Sequence, residues 1–137
     1  MKYILISFLI LIQFGKTYSQ DTGWTFATFG TNSDQKVYIK NEYVDKTDGY
    51  IKVWVKTVCK TVTIDNKVDK NITIKALKLF DCNGKRTKKI QVHVYDAVGK
   101  IIESKIYSGN EFIEHWEYVI PESVGEGELI AACQMFN

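Results

Sequence analysis

The run from Tyr50 to Val62, YIKVWVKTVCKTV, decides the fold class. Ile51, Val53, Val55 and Cys59 fall on one parity, and Lys52, Trp54, Lys56 and Lys60 on the other. Side chains of an extended chain alternate between two faces, so this run is a β-strand with an apolar core face and a largely solvated second face. Thr47-Asp48-Gly49 before it is a turn signal, and Asp65 to Asn71 after it reads as a polar loop. Both ends of the longest predicted strand are therefore marked.

The same alternation extends in both directions. Trp24 to Gly30 reads as a short first strand that ends in the turn-rich stretch Thr31 to Asp34, and Val37 to Tyr43 as a second. Ile72 to Cys82 resumes the pattern, with a phase slip near Ala76-Leu77 that predicts a bulge. Asn83-Gly84 is a tight-turn dipeptide. Ile90, Val92 and Val94 then oppose Gln91, His93 and Tyr95, and a loop over Asp96 to Lys100 leads into a strand from Ile101 to Tyr107. A last strand is predicted over His115 to Ile120, with Trp116 and Tyr118 sharing a face.

The period changes at the C-terminus. Pro121 cannot donate to a sheet ladder, and Ser123 stands three residues before Glu126, the spacing of a capping box. Leu129, Ile130, Cys133 and Phe136 follow at near-helical spacing. Gly125 and Gly127 weaken the first turn by about 1 kcal/mol each relative to Ala. The pattern predicts a short helix packed on the sheet, hence an α+β, mainly β fold.

The chain has 137 residues, 45% hydrophobic and 13% aromatic, with one Pro and nine Gly, a globular rather than disordered or collagen-like composition. Met1-Lys2, the apolar run Tyr3 to Phe14 and the polar Gly15 to Ser19 form the three parts of an export signal. Twelve apolar residues fall short of the ~20 that a transmembrane helix needs, so no transmembrane segment is expected after cleavage ahead of Gln20. Residues 1–19 are thus the expected signal peptide and 20–137 a single domain. With no Cys in the leader, lipid attachment at a new N-terminal Cys is not expected.

Two of the 18 basic residues, Lys2 and Lys16, belong to the leader, so sixteen face sixteen acidic residues in the mature chain. They are unevenly spread: Lys105 is the last basic residue, and Glu111, Glu114, Glu117, Glu122, Glu126 and Glu128 all follow it. The two halves either pair within the fold or leave a basic surface around Lys85, Arg86, Lys88 and Lys89 for an acidic partner. Trp54, on the lysine-bearing parity of its strand, is the candidate aromatic anchor of such a surface. No recognition motif points to nucleic acid.

Three Cys in an exported chain predict one disulfide and one free thiol, and spacing leaves all three pairings open. A Cys82–Cys133 bridge would pin the terminal helix to the sheet. Neither CxxC nor HxxxH occurs, and His93 and His115 are far apart, so neither metal nor cofactor is expected. Ser104 and Ser108 lack a nucleophile motif, and Glu111, Glu114 and Glu117 read as a solvated face.

Trp24, Gly49 to Val55 (GYIKVWV), Asp81-Cys82 with the following Arg86, Tyr95 to Gly99 (YDAVG), Trp116, Ile120 to Gly125 (IPESVG) and Cys133 occur in that order. This ordered set resembles the surface-adhesin protein E family of Gram-negative bacteria and spans nearly the whole mature chain. The resemblance implies a single antiparallel sheet of about six strands, a C-terminal helix, and a tether between them formed by Cys82 and Cys133. It also implies a non-enzymatic, secreted or cell-envelope adhesin that binds extracellular-matrix or plasma proteins. The alternative expectation is a soluble periplasmic protein of the same fold with an envelope-related or small-ligand-binding role. Exposed sheet edges would also permit a homodimer by strand addition.

Overall fold

The computed structural model describes residues 23–31, 34–47, 49–64, 66–107 and 116–137. The expected leader and its cleavage site lie outside the described residues, as do Ser108, Glu111, Glu114 and His115. Among the described residues there are seven strands: β1 (Trp24–Phe29), β2 (Gln35–Thr47), β3 (Tyr50–Ile64), β4 (Lys67–Asp81), β5 (Arg86–Tyr95), β6 (Ile101–Ile106) and the two-residue β7 (Glu117–Tyr118). The one described helix, α1 (Val124–Phe136), follows them. β1 to β6 lie side by side in chain order and every pair is antiparallel, while β7 pairs with the start of β5.

The predicted face of β3 is the core. Ile51, Val53 and Val55 join Val37 and Ile39 of β2, Phe80 of β4 and Leu129 and Ala132 of α1 in one buried cluster. Cys59, Ile72 and Val94 make a second, smaller one. Gly127 lets the helix approach β1 closely, because a Cβ there would stand 2.7 Å from that of Thr28. A residue that weakens the helix locally thus permits its packing.

Three ties hold α1 down besides its apolar side. Cys82 and Cys133 form a disulfide across a separation of 51 residues, the pairing that the resemblance implied. Glu128, buried on the helix, is ion-paired with Lys78 of β4. Lys46 of β2 donates to the Phe136 carbonyl at the helix C-terminus, where a positive charge is favourable and the last turn has none of its own. At the other end the predicted cap is present. The Glu126 N–H donates to the Ser123 hydroxyl, and the Glu126 carboxylate reaches back to the Glu122 N–H.

Several expectations are corrected. The stretch expected as a loop over Asp65 to Asn71 is mostly strand: β3 and β4 continue in register to Ile64 opposite Lys67. Most of its described side chains are exposed, so its sequence lacks the apolar face that marks a strand. β4 carries no bulge toward β3; the extra residue is Ile90 of β5, where the register breaks between Leu77–Gln91 and Lys78–Lys89. The apparent slip in β4 arises because Ala76 and Leu77 are both buried, on opposite faces. Ile130 is 47% exposed rather than packed inward, and the last strand shrinks to two residues. The turn after β4 places its positive φ on Lys85, not Gly84. Gly84 is glycine for space, since a Cβ would stand 2.3 Å from the Asp81 carboxylate.

In the chain-entropy description, closing a loop of this length stabilises the fold by about 4 kcal/mol. A Cys82→Ala/Cys133→Ala variant is expected to lose up to that amount in urea unfolding. A non-reduced peptide map is expected to show the Cys82 and Cys133 peptides joined, with buried Cys59 alkylated only after unfolding.

Candidate functional site

Register assigns every strand residue to one of two faces. Tyr50, Lys52, Trp54 and Lys56 of β3 oppose Asp81, Leu79, Leu77 and Lys75 of β4. These in turn oppose Arg86, Lys88, Gln91 and His93 of β5. On the other flank Tyr38 opposes Lys56, Lys36 opposes Val58, and Trp24 opposes Lys40. All these residues point away from the face on which the helix packs. By register this open face bears nine basic side chains, Lys36, Lys40, Lys52, Lys56, Lys60, Lys67, Lys75, Arg86 and Lys88, against three carboxylates, Asp45, Asp69 and Asp81.

All three tryptophans of the chain are there as well, interleaved with the cations. Lys40 and Lys56 place their ammonium groups 5.2 and 4.6 Å from the centre of the Trp24 ring, and Lys56 is 5.1 Å from that of Tyr38. Lys75 lies 4.9 Å over Tyr95. Trp116 carries Arg86 at 4.6 Å and Lys88 at 5.8 Å, with Tyr50 beside it. A cation over a ring face is attracted by the ring quadrupole while its alkyl stem covers apolar surface.

The expectation that the second face of β3 is largely solvated therefore needs correction: Lys56 is only 7% exposed. Burial pushes its amine below the usual lysine range, and the charge of Lys75 directly opposite adds to the effect. Trp54 is half-buried, its ring 6.0 Å from that of His93. His93 also meets the Ser104 hydroxyl at 2.7 Å through Nδ1. The two residues are directly opposed on β5 and β6, so strand pairing alone accounts for the contact.

The predicted basic cluster is divided by the alternation of β5. Arg86 and Lys88 go to the open face, Lys89 to the helix face and Lys85 to the exposed turn. Lys88 is 4% exposed, which corrects its expected place on a free surface, and burial lowers its amine pKa. Lys89 instead stands with Lys78 and Lys105 around a groove of about 300 Å³ floored by Val55, Ile74, Ala76, Val92 and Val94. It also lies 4.0 Å from Glu117.

Arg86 fixes structure. Its Nε donates to Asp81 at 2.7 Å, and the Gly84 N–H donates to the same carboxylate at 2.8 Å. Burial alone would raise the Asp81 pKa. The hydrogen bonds from Gly84, Arg86 and Asn83, with the charge of Arg86, outweigh burial and hold the carboxyl below its usual value. Sequence reading missed Trp24, Tyr38, Lys40, Lys56, Lys75, Tyr95 and Trp116 as one site. Their parity within each strand was visible; the register that joins the strands was not.

Among the described residues no group of three or more His, Cys, Asp or Glu could hold a metal ion, and no helix is long and apolar enough to cross a membrane. The family model for surface-adhesin protein E matches residues 24–134. No curated protein and no solved structure matches the chain significantly.

A carboxyl whose folded pKa lies below its unfolded value stabilises the fold above that unfolded value and loses the contribution as pH falls through the folded one. Asp81→Asn is therefore expected to be less stable than the parent at pH 7, with the gap closing below about pH 4. Urea unfolding of both proteins at neutral and acid pH measures it. A gap of constant size would show that the carboxylate charge contributes nothing.

Proposed function

Because the chain belongs to the surface-adhesin protein E family, we propose that it is an exported, non-enzymatic binding protein that grips acidic protein partners through the open face of its sheet. The observation that carries this reading is the excess of nine basic side chains over three carboxylates on the face that also holds every tryptophan. One of those carboxylates, Asp81, is already bonded to Arg86. Aromatic side chains and Arg are enriched where proteins meet, and a field of one sign speeds the encounter with a partner of the other.

The family points to extracellular-matrix or plasma proteins as partners, and the expected leader at residues 1–19 supplies the route out of the cell. Trp54, Lys40 and Lys75 are the contact residues best placed for the role, being half-exposed on this face. Arg86 and Lys88 act behind them, holding Trp116 in position.

Binding to immobilised matrix and plasma proteins tests the reading. A Lys40→Glu/Lys75→Glu variant is expected to bind roughly tenfold more weakly or worse, and wild-type binding is expected to weaken as salt rises. Its melting curve is expected to stay close to that of the wild type. Unchanged binding by a folded variant would remove the open face from the function. Protease treatment of intact cells, with a periplasmic control protein, tests surface display separately.

A further inference from the structure

α1 packs mainly over β1, β2 and β3, and the groove of about 300 Å³ lies on the same face of the sheet beyond it, toward β6. Register arranges its lining in three rows. Thr57, Ile74, Val94 and Glu103 stand side by side across β3 to β6, and Val55, Ala76, Val92 and Lys105 form the next row. Lys78 and Lys89 are opposed in the third, and Tyr107, just past the end of β6, completes the lining.

The floor is apolar throughout. Val55, Ala76 and Val94 are at most 7% exposed, and Ile74 and Val92 are half-buried. β3, β4 and β5 are interior strands here, so their backbone N–H and C=O groups are engaged in ladders on both sides. The floor therefore offers a ligand methyl groups and no hydrogen bonds. A peptide laid on it would leave its own N–H and C=O groups unpaired, and a flat aromatic ligand would find no ring there to stack on. A hydrocarbon tail has neither requirement and gains by leaving water.

The rim is charged, and unevenly so. Lys78 is held by Glu128 of α1 and marks the end nearest the helix. Lys89 is exposed and 4.0 Å from Glu117, beyond hydrogen-bond reach. Lys105 lies 4.6 Å over the Tyr107 ring and has no paired carboxylate among the described residues. Glu103 stands one row further on, beside Val94, where it repels a negative group. We infer that the groove is a binding site for a free fatty acid, its tail over Ile74, Ala76, Val92 and Val94 and its carboxylate between Lys89 and Lys105. A volume of about 300 Å³ is at the small end for ligand pockets, which favours one chain of medium length over a two-chain lipid. The site is on the opposite face of the sheet from the tryptophans, so it is independent of protein binding there.

Isothermal titration calorimetry of the protein with decanoate and with decanol tests the proposal. Saturable binding of both is expected. A Lys89→Gln/Lys105→Gln variant is expected to bind decanoate about tenfold more weakly or worse and decanol as the wild type does. Val92→Phe, which fills the groove, is expected to abolish binding of both, and Lys40→Glu/Lys75→Glu on the open face to change neither. Circular-dichroism melts identify any variant that fails to fold, and the Lys89/Lys105 variant, altered only at exposed positions, then carries the test. No saturable binding of decanoate overturns the proposal, as does an unchanged decanoate affinity in the Lys89/Lys105 variant. Full binding by a folded Val92→Phe protein, or loss in the open-face variant, overturns it equally.

Discussion

Among the described residues one helix serves a six-stranded sheet, and much of the rest of the described structure follows from that ratio. Thirteen helical residues reach only ~20 Å, whereas six strands spaced ~4.8 Å apart span more, and the 15-residue β3 and β4 run to ~50 Å. The apolar core is accordingly confined to the patch under α1 and a small satellite around Cys59. A lone helix over so limited a patch is easily displaced, which gives physical sense to its redundant attachment. The disulfide holds its C-terminal half, the Glu128–Lys78 pair its middle, and Lys46 its last carbonyls. Of these, the buried ion pair is the weakest argument for stability, since desolvation opposes it, and the strongest for placement.

The face without a helix must tolerate water and still shield the sheet. Side chains with an apolar body and a polar end meet both demands, and lysine, tryptophan and tyrosine dominate there. Lysine stems lie across rings, so the cations become partly buried rather than freely hydrated. Lys56 and Lys88 accordingly have lowered pKa values, and each is easier to accommodate in the fold as pH rises toward the usual lysine range. The placement of Lys56 opposite Lys75 also works against stability, as like charges across a strand pair do. Such a pair makes sense where the face meets an acidic partner, which would relieve the repulsion.

Much of this architecture was legible in the sequence, and the failures share a cause. Alternation in β3 identified Ile51, Val53 and Val55 as core, and the change of period after Pro121 identified the helix and its cap. The order of the matching pieces in the resemblance carried the disulfide. What alternation could not supply was the phase between neighbouring strands. The run Lys85 to Lys89 looked like one basic patch, but Lys85 stands in the turn and the alternation of β5 sends Arg86 and Lys88 to one face and Lys89 to the other, before the extra residue at Ile90 resets the phase for Gln91 and His93. The start of β4 was missed for a related reason. From Lys67 to Asn71 most side chains are exposed, so these residues carry no periodic apolar signal.

The two outer edges of the sheet are treated differently, and the difference bears on how the open face would work. β1 has the helix packed close along it through Gly127 and Thr28. β6 has all six of its side chains exposed. The open face meets a partner from the middle of the sheet rather than from an edge: Trp54 of β3, Lys75 of β4 and Tyr95 of β5 lie on it across three adjacent strands. On a surface of that kind affinity comes from many modest contacts, with a few aromatic and basic side chains carrying most of it.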